Sequence, residues 1–457
     1  MALYRKIVFL GIFSLFSSAI FAEEKLVLTA DKAVEKALDS HVDIKRSEIS
    51  RAQARREYKN SWNKVLPSVS AGASASEKKS WKDSDSDVVN GTLSFSASLS
   101  LDAGIASSIK ALRSSYEAGE ISYDETVRKT ESSVRTEFYR ILYLKEQLEN
   151  AQKTLESYEK QFEQAKEKYS RGTVTQLDLL SAEVNVETAK PDVDSARTNF
   201  SNALKEFLDA IGIDQNINIE LEGTLDDAER VLKIDRSVLE KCVENSSEVK
   251  ILEKNLETAK HTKNATYSSL RLPSLNLSAD VSPEIYSYDK NSKNGAENPS
   301  WSVSAGISLP VDSWIPGSSA SVKIAALDDT IKDYEAQLEN LKKTVKTSAA
   351  EKFEAIELSQ KNIAARKMNV ELAQKSYEMT EDAYRRGTKD LLSLQDALDK
   401  LSSAKLQLRS EQYALLSNVL SLQEMLSLPS ETFFELQKPS QAQEIPETSE
   451  NQKTKKN

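Results

Sequence analysis

The residue types that supply most catalytic and metal-binding chemistry are scarce in this sequence. Its 457 residues include two histidines, His41 and His261, and one cysteine, Cys242. Neither histidine belongs to a pattern typical of a metal site or a catalytic pair, and a single cysteine excludes an intramolecular disulfide and a cysteine metal cluster. The sequence also lacks phosphate-binding, dinucleotide-binding and nucleophile motifs. We therefore expect no catalytic residue, no metal site and no cofactor, and we place both histidines on helix surfaces.

Polar chemistry concentrates instead in two similar segments. They read YSRGTVTQLDLL from Tyr169 and YRRGTKDLLSLQ from Tyr384, 215 positions apart. Glycine commonly ends a helix because it adopts left-handed backbone angles without steric cost, so each segment predicts a turn between two helices. The arginines just before each glycine fall in the last helical turn, where a cation complements the helix dipole. From the residues alone, the simplest role of these arginines is this local one at the helix ends.

The two turns belong to a unit that occurs twice. AVEKALDSHVDIK, from Ala33, resembles VLEKCVENSSEVK, from Val238, and LPSVS at Leu66 resembles LPSLN at Leu272. Because the matches keep the same order in both halves, they indicate a tandem duplication of about 210 residues, which is too long for a solenoid repeat.

Each unit is predicted to begin with an amphipathic helix, at about 29–64 and 234–270, which ends before a proline. Two strands with alternating apolar and polar residues follow, at about 68–76, 91–101, 274–284 and 301–309. Strands of roughly this length cross a bilayer when tilted, but surface hairpins with one buried face would show the same alternation. The nearly uncharged serine face and the long polar loops, 77–90 and 286–299, favour the membrane. Because four strands cannot close a membrane barrel, membrane strands require an oligomer of two or three chains.

The rest of each unit is predicted to be a coiled-coil hairpin, because apolar residues recur every seven positions on both sides of each glycine. Before the glycines the repeat comprises Val134, Ile141, Leu148, Leu155, Phe162 and Tyr169, and Ala349, Ile356, Ile363, Val370, Tyr377 and Tyr384. After them it comprises Leu179, Val186, Val193, Phe200 and Phe207, and Leu394, Leu401, Leu408, Leu415 and Leu422. Pro191 is expected to kink the first return helix or to begin a new segment there.

The two ends of the chain carry different signals. Residues 1–22 have two basic residues, an apolar run and a small final residue, which predicts a cleaved signal peptide. No cysteine follows this run, so we expect no lipid anchor. The polar tail, 439–457, is expected to be disordered. The net charge of −10 and the pI near 5.2 disfavour nucleic acid as a partner.

The paired segments YSRGTVTQLDLLSAE and YRRGTKDLLSLQDAL, with the two LPS junctions, resemble the TolC-type outer membrane efflux proteins, up to about Leu428. The resemblance implies a mainly α fold with a transmembrane β-barrel part, in which a homotrimer forms a barrel of twelve strands that continues into a periplasmic tunnel of twelve helices. The implied divisions are a signal peptide, a first repeat with its turn near 171–173, an equatorial segment, a second repeat with its turn near 386–388, and an equatorial and tail segment: 1–22, 23–213, 214–232, 233–428 and 429–457.

The resemblance also implies two sets of site residues near the turns. Transferred by motif position, the periplasmic gate comprises Asp178, Tyr384, Lys389, Ser393 and Asp396. Ser393 replaces the aspartate common in the family, so one carboxylate per chain would remain in the acidic ring. The adaptor-docking tip comprises Arg171, Gly172, Thr173, Arg386, Gly387 and Thr388. The alternative for the gate residues is that they are solvated polar positions beside a turn.

The function implied is a passive channel in the outer membrane, with a periplasmic extension. It would serve a tripartite efflux or type I secretion system, together with a periplasmic adaptor (membrane fusion protein) and an inner membrane transporter. The competing hypothesis is a secreted periplasmic coiled-coil scaffold. The scaffold explains the heptads and the charge, but it does not explain the four serine-faced strands. We expect no enzymatic activity in either case.

Overall fold

The fold is taken from a computed structural model that describes residues 26–79, 87–214, 219–231, 243–289 and 300–428. The predicted signal peptide, the polar tail, Cys242, the centres of both predicted strand loops and part of the predicted equatorial segment lie outside these residues.

The two repeats contribute similar series of elements, except that two helices precede the strands in the first repeat, and in the second one described helix precedes three described strands. The first contains β1 (Leu26–Leu28), α1 (Ala30–Ser40), α2 (Val42–Lys59), β2 (Ser68–Lys79), β3 (Asp87–Asp102), α3 (Ile105–Ser170) and α4 (Gln176–Ala210). β4 (Ile219–Leu221) lies in the segment predicted to be equatorial, 214–232, and the second repeat contains α5 (Ser247–Arg271), β5 (Ser274–Ser282), β6 (Glu284–Asp289), β7 (Ser300–Ser308), α6 (Ser319–Arg385) and α7 (Leu391–Met425). Strands β1 and β4 pair in parallel and join the start of the first repeat to this segment between the repeats. At 66 residues, α3 is about 100 Å long.

The first predicted helix, about 29–64, is two helices in the structure. His41 has ψ 130°, ends α1 and caps α2, because its Nδ1 accepts a hydrogen bond from the Asp43 backbone N–H at 3.3 Å. His41 is therefore a capping residue and not simply a surface position. The second repeat is interrupted at Ser246, which has ψ 125° and lies 205 positions later. The break was missed because neither repeat has glycine or proline there.

Three layers of elements, each four elements wide, stack along the molecule. The antiparallel sheet has the order β2, β3, β5, β7. Next comes a row in which α2 contacts α3, α3 contacts α5, and α5 contacts α6. Beyond it α4 contacts α3, α3 contacts α7, and α7 contacts α6. Each layer is thus a single row with two flanks, formed by β2, α2 and α4 on one side and by β7 and α6 on the other.

The largest hydrophobic core lies midway along the helices, where α1, α3, α4 and α7 meet. Its buried members include Ala33, Val34, Ala37, Phe138, Ile141, Phe207, Leu208, Leu415, Leu416, Val419 and Leu422. Ser40 ties α1 to the end of α4, because its hydroxyl donates to the Ile211 carbonyl at 2.9 Å. The break at His41 allows α1 to turn onto this core while α2 follows α3.

The strands are longer and more broken than the alternation predicts. β2 and β3 extend into the predicted loop 77–90, up to Lys79 and from Asp87. The strand predicted at 274–284 stops at Ser282, because Pro283 has no N–H to donate to the ladder, and β6 then continues the pairing with β3 inside the predicted loop 286–299. The register of β3 shifts at Gly91 and Thr92, opposite this interruption.

The register sorts the side chains of the sheet by chemistry. Over most of the four strands apolar residues oppose apolar ones, as in the pairs Val69 with Ala97, Leu99 with Leu277, and Val303 with Ala279. Serines oppose serines on the other face, and their hydroxyls lie 2.6 to 2.8 Å apart in Ser68–Ser98, Ser70–Ser96, Ser274–Ser308 and Ser278–Ser304. The apolar face is uncovered, with Val69 77%, Val303 72% and Ile307 78% exposed.

The heptad residues mostly face the contacts between helices, as predicted. Val134, Ile141, Ile356 and Ile363 are buried. At the ends of the two long helices the repeats differ, because Tyr384 is 4% exposed but Tyr169 is 42% exposed, against its predicted inward position. Pro191 lies inside α4, which continues through it, so no new segment begins there.

Among the described residues, the structure contains no helix that is both long and apolar enough to cross a membrane.

Candidate gate and docking tip

Both RGT segments form the same helix end. Gly172 and Gly387 have φ of 72° and 76°, a left-handed geometry that favours glycine. In the first turn the Gly172 N–H donates to the Tyr169 carbonyl at 2.9 Å and the Thr173 N–H to the Lys168 carbonyl at 2.9 Å, the pair of bonds that defines a Schellman motif. The second turn repeats both bonds, and both threonine hydroxyls add a bond to the same carbonyls. The two helical hairpins therefore end in equivalent, rigid turns.

Both return helices begin with a capped first turn, but the hydroxyl and the carboxylate exchange positions between the two caps. Thr175 caps α4 and its Oγ1 accepts from the Asp178 N–H at 3.2 Å, while the Asp178 carboxylate accepts from the Thr175 N–H at 2.9 Å. At α7, 215 positions later, Asp390 is the cap and accepts from the Ser393 N–H at 2.9 Å. The Ser393 hydrogen bonds lower the pKa of the Asp390 carboxyl. Asp178 and Ser393, two of the predicted gate residues, thus occupy the third position of a helix in which they support a cap.

The arginines at the tip are exposed and paired locally. Arg171 pairs with Glu167, one turn earlier in α3. Arg385 and Arg386 both approach the Asp382 carboxylate, at 3.0 and 3.8 Å. Side-chain exposures of 60–75% leave the guanidinium groups accessible. Because exposed pairs contribute at most about 1 kcal/mol, a partner could replace them at little cost.

Tyr384 is the predicted gate residue that the structure buries. Its ring packs with Ala165 of α3, Ala182 of α4 and Leu391 and Leu394 of α7, so it joins both hairpins at the tip. Burial, with a smaller contribution from the Asp178 carboxylate, raises the pKa of Tyr384. Asp178 and Tyr384, which come from different repeats, therefore lie close enough to interact.

Lys168, which was not predicted as a site residue, also contacts Tyr384. Its Nζ lies 3.7 Å from the centre of the Tyr384 ring and donates to the Tyr384 carbonyl at 3.2 Å. The α3 end thus places a cation against the carbonyl end of α6, which both the aromatic ring and the helix dipole favour. Burial lowers the pKa of Lys168. The sequence signal was only a lysine one turn before the first glycine.

The other two predicted gate residues lie at the surface of the single chain. Lys389 is exposed in the second turn. The Asp396 carboxylate accepts a hydrogen bond from Lys400 Nζ at 2.6 Å, one turn further along α7. The structure therefore brings Asp178 and Tyr384 together, whereas Lys389 and Asp396 are exposed at the surface.

Two further features of the tip were not predicted from the sequence. Leu177 and Leu392, 215 positions apart, are 74% and 71% exposed at the start of the return helices. Both are apolar side chains exposed within one helical turn of the caps Thr175 and Asp390. Gln161 is 4% exposed, and neither its amide N nor its O has a hydrogen-bond partner among the residues that the structure describes, which leaves an unsatisfied polar group inside the packed helices.

The arrangement at the tip consists of exposed contact surfaces and packed contacts between the two hairpins. In the described part of the chain, no group of three or more His, Cys, Asp or Glu side chains is placed to hold a metal ion.

The sequence profile described as outer membrane efflux protein matches residues 33–212 and 238–427. The chain belongs to the outer membrane efflux protein family. The profile matches the chain twice, once over each of the two repeats, which agrees with the duplication found in the sequence.

The chain is similar to other outer membrane proteins in sequence and in fold. It is 23% identical over 414 residues to outer membrane protein TolC of Escherichia coli K12, which covers 86% of this chain and 80% of TolC. Its structure resembles that of CusC with a TM-score of 0.76 at 16% identity, over 89% of this chain and 94% of CusC. It also resembles the open state of the outer membrane channel MtrE from Neisseria gonorrhoeae, with a TM-score of 0.73 at 19% identity, over 87% and 89% of the two chains. At these identities the structural likenesses show the fold.

Proposed function

We propose that this protein is the outer membrane channel of a tripartite efflux or type I secretion system, and that it acts as a homotrimer. Substrates pass through it passively, from a periplasmic adaptor and an inner membrane transporter to the exterior. The observation that carries the proposal is the shape of the single chain: three single-row layers, all open at the same two flanks, with an uncovered apolar sheet face at one end.

The open flanks support closure into a ring of identical chains. In the described part of the chain, the edge strands β2 and β7 each have one side without a partner strand, and unpaired backbone groups are not tolerated in lipid. The flanking helices also expose apolar side chains: Val42 and Ile49 on α2, Leu177, Leu180 and Val184 on α4, and Leu358, Met368, Leu372 and Met379 on α6. If one flank meets the other flank of the next copy, a single contact surface closes every layer of the ring. Three copies of the four-strand sheet give the twelve strands that the family resemblance implies.

The sheet supports a membrane position. β5 and β7 have nine residues each, about 30 Å of strand. With a tilt of about 40°, the sheet is about 23 Å tall, close to the ~25 Å apolar band of outer membrane barrels. In the closed ring the apolar face contacts lipid and the serine face lines the pore. A soluble scaffold would leave the apolar face in water, which disfavours that alternative.

The tip supports the proposed gate and docking roles. Tyr384, Asp178 and Lys168 join the two hairpins, so a movement of one hairpin against the other has to break these contacts. Lys389 and Asp396 act in this proposal through neighbouring copies, because both side chains are exposed on the single chain. The exposed Arg171 and Arg386, with Gly172, Thr173, Gly387 and Thr388, offer the adaptor two equivalent turns per chain.

Membrane fractionation and conductance test this function together. We expect the protein to remain with outer membranes after osmotic shock and to require detergent for extraction. In planar bilayers the purified protein should give stepwise, ohmic currents without nucleotide. Release by osmotic shock, with no conductance, would favour the scaffold. As a test of the tip, deletion of residues 171–173 should abolish efflux while the protein still inserts in the membrane.

A further inference from the structure

The polar face of the sheet is almost uncharged over the strand residues whose side chains the structure describes. Across the four strands the paired rows consist mainly of serine, for example Ser68, Ser98, Ser278 and Ser304. Among the strand residues whose side chains the structure describes, this face carries two charged groups, Asp102 and Asp280. A neutral hydroxyl surface does not distinguish cations from anions, so any fixed charge on it has a large share in selectivity.

The two carboxylates have different surroundings. Asp102 lies where β3 ends, and its Oδ1 accepts a hydrogen bond from the Gly104 N–H at 2.6 Å, before α3 begins. Asp280 lies within β5, in a row with Ser70, Ser96 and Ser302. Its carboxylate accepts a hydrogen bond from the Ser278 hydroxyl at 3.4 Å, and among the described residues no basic side chain forms an ion pair with it. Asp102 therefore has a structural role at the junction, whereas Asp280 presents a free carboxylate.

We propose that Asp280 is a charge-selectivity residue of the channel, where its three copies form a ring of carboxylates that favours cations, both inorganic ions and cationic substrates. This inference rests on the proposed trimeric channel. The ring lies within the strands, far from the tip, so it acts on ions that have already passed the helical tunnel. It also gives the pore an acidic position that does not depend on Ser393, where the family aspartate is missing.

The size of the effect follows from screening. In a twelve-strand barrel the carboxylates lie on the order of 10 Å from the pore axis, which is about one Debye length in 0.1 M salt. Ions on the axis therefore experience the ring only partly screened. We expect a cation-to-anion permeability ratio of about three, with at least about a twofold fall when the ring is removed.

The test is the reversal potential of the full-length trimer in planar bilayers under a KCl gradient. Asp280→Asn should lower the permeability ratio about twofold or more, Asp280→Glu should retain it, and Asp280→Lys should shift it toward chloride. Ser302→Asn, a neutral change in the same row, is the matched control and should leave the ratio unaltered. Assembly of each variant is verified by electrophoresis in detergent, in which an unheated sample should show a trimer band that disappears on heating.

The outcomes separate the inference from the proposed function. Normal conductance with the same ratio in wild type, Asp280→Asn and Asp280→Lys would overturn the role of Asp280 and leave the channel intact. A correctly assembled wild-type trimer that conducts nothing would overturn both the channel and the selectivity ring.

Discussion

Adjacent residues of β7 should respond in opposite ways to the same substitution. Val303 lies on the apolar face opposite Ala279 and is 72% exposed, whereas Ser304 lies on the serine face and its hydroxyl is 2.8 Å from that of Ser278. Both lie near the middle of a nine-residue strand. If the apolar face contacts lipid, an arginine at 303 enters hydrocarbon and an arginine at 304 enters the water of the pore.

The expected free energies differ clearly. Arginine on the lipid face near the bilayer midplane costs about 2–4 kcal/mol per chain, or roughly 6–12 kcal/mol for three chains. Ser304→Arg loses one hydrogen bond between hydroxyls, with a net cost of about 0.5–1.5 kcal/mol per chain. Val303→Arg should therefore insert and assemble much less well than Ser304→Arg, and Val303→Leu should behave like wild type.

The assay is urea-titrated folding into phosphatidylcholine vesicles, followed by the trimer band on a cold gel. A much lower urea midpoint for Val303→Arg than for Ser304→Arg is the expected result. Equal midpoints for the two arginine variants would refute the assignment of the faces, because residue spacing alone decides which face each side chain occupies.

Four further predictions concern the helices. Leu372→Glu with Met379→Glu, on the exposed flank of α6, should reduce the trimer to monomer in native mass measurements, while the exposed Lys346→Glu on the same helix should not. Lys168→Met should raise single-channel conductance, because it removes both contacts to Tyr384, and Lys168→Arg should resemble wild type. Unchanged conductance in Lys168→Met would exclude a role for these two contacts in keeping the channel closed. Gly172→Ala should cost about 1–2 kcal/mol for its left-handed backbone alone, and Gly212→Ala should lower Tm further, because a Cβ there would lie 2.7 Å from the Ser40 Cβ. Burial raises the pKa of the Glu424 carboxyl, so its contribution to stability is present below the unfolded pKa and is lost as pH rises through the folded one; Glu424→Gln should therefore raise Tm at neutral pH and leave it nearly unaltered near pH 4.

The faces of the sheet and the turns could be predicted because each depends on local chemistry. Alternation with a period of two assigns every strand residue to a face, whatever the partner strand. Gly172 and Gly387 end helices by their own backbone preference. Strand ends were less predictable, because polar residues such as those of β6 occur both in loops and in the outer turns of hairpins, and Pro283 interrupts the strand without ending its path.

Contacts between the repeats could not be derived from the sequence. The Lys168–Tyr384 contact depends on how far α3 and α6 extend beside each other, a long-range register that no motif records. The helix breaks at His41 and Ser246 lack glycine and proline and become clear only from their matching positions in the two repeats. The roles of the gate and docking residues stay predictions, since Asp178 and Ser393 also serve as helix-capping positions.

Native mass and shape of the detergent-extracted protein test the central claim most directly, by mass photometry combined with negative-stain imaging. We expect a rod of three chains, with a detergent belt near one end around the sheet and a long helical tunnel beyond it. A monomer or dimer that stays soluble without a belt would contradict the account, because the flanks would then not close a ring and the apolar face would not meet a membrane.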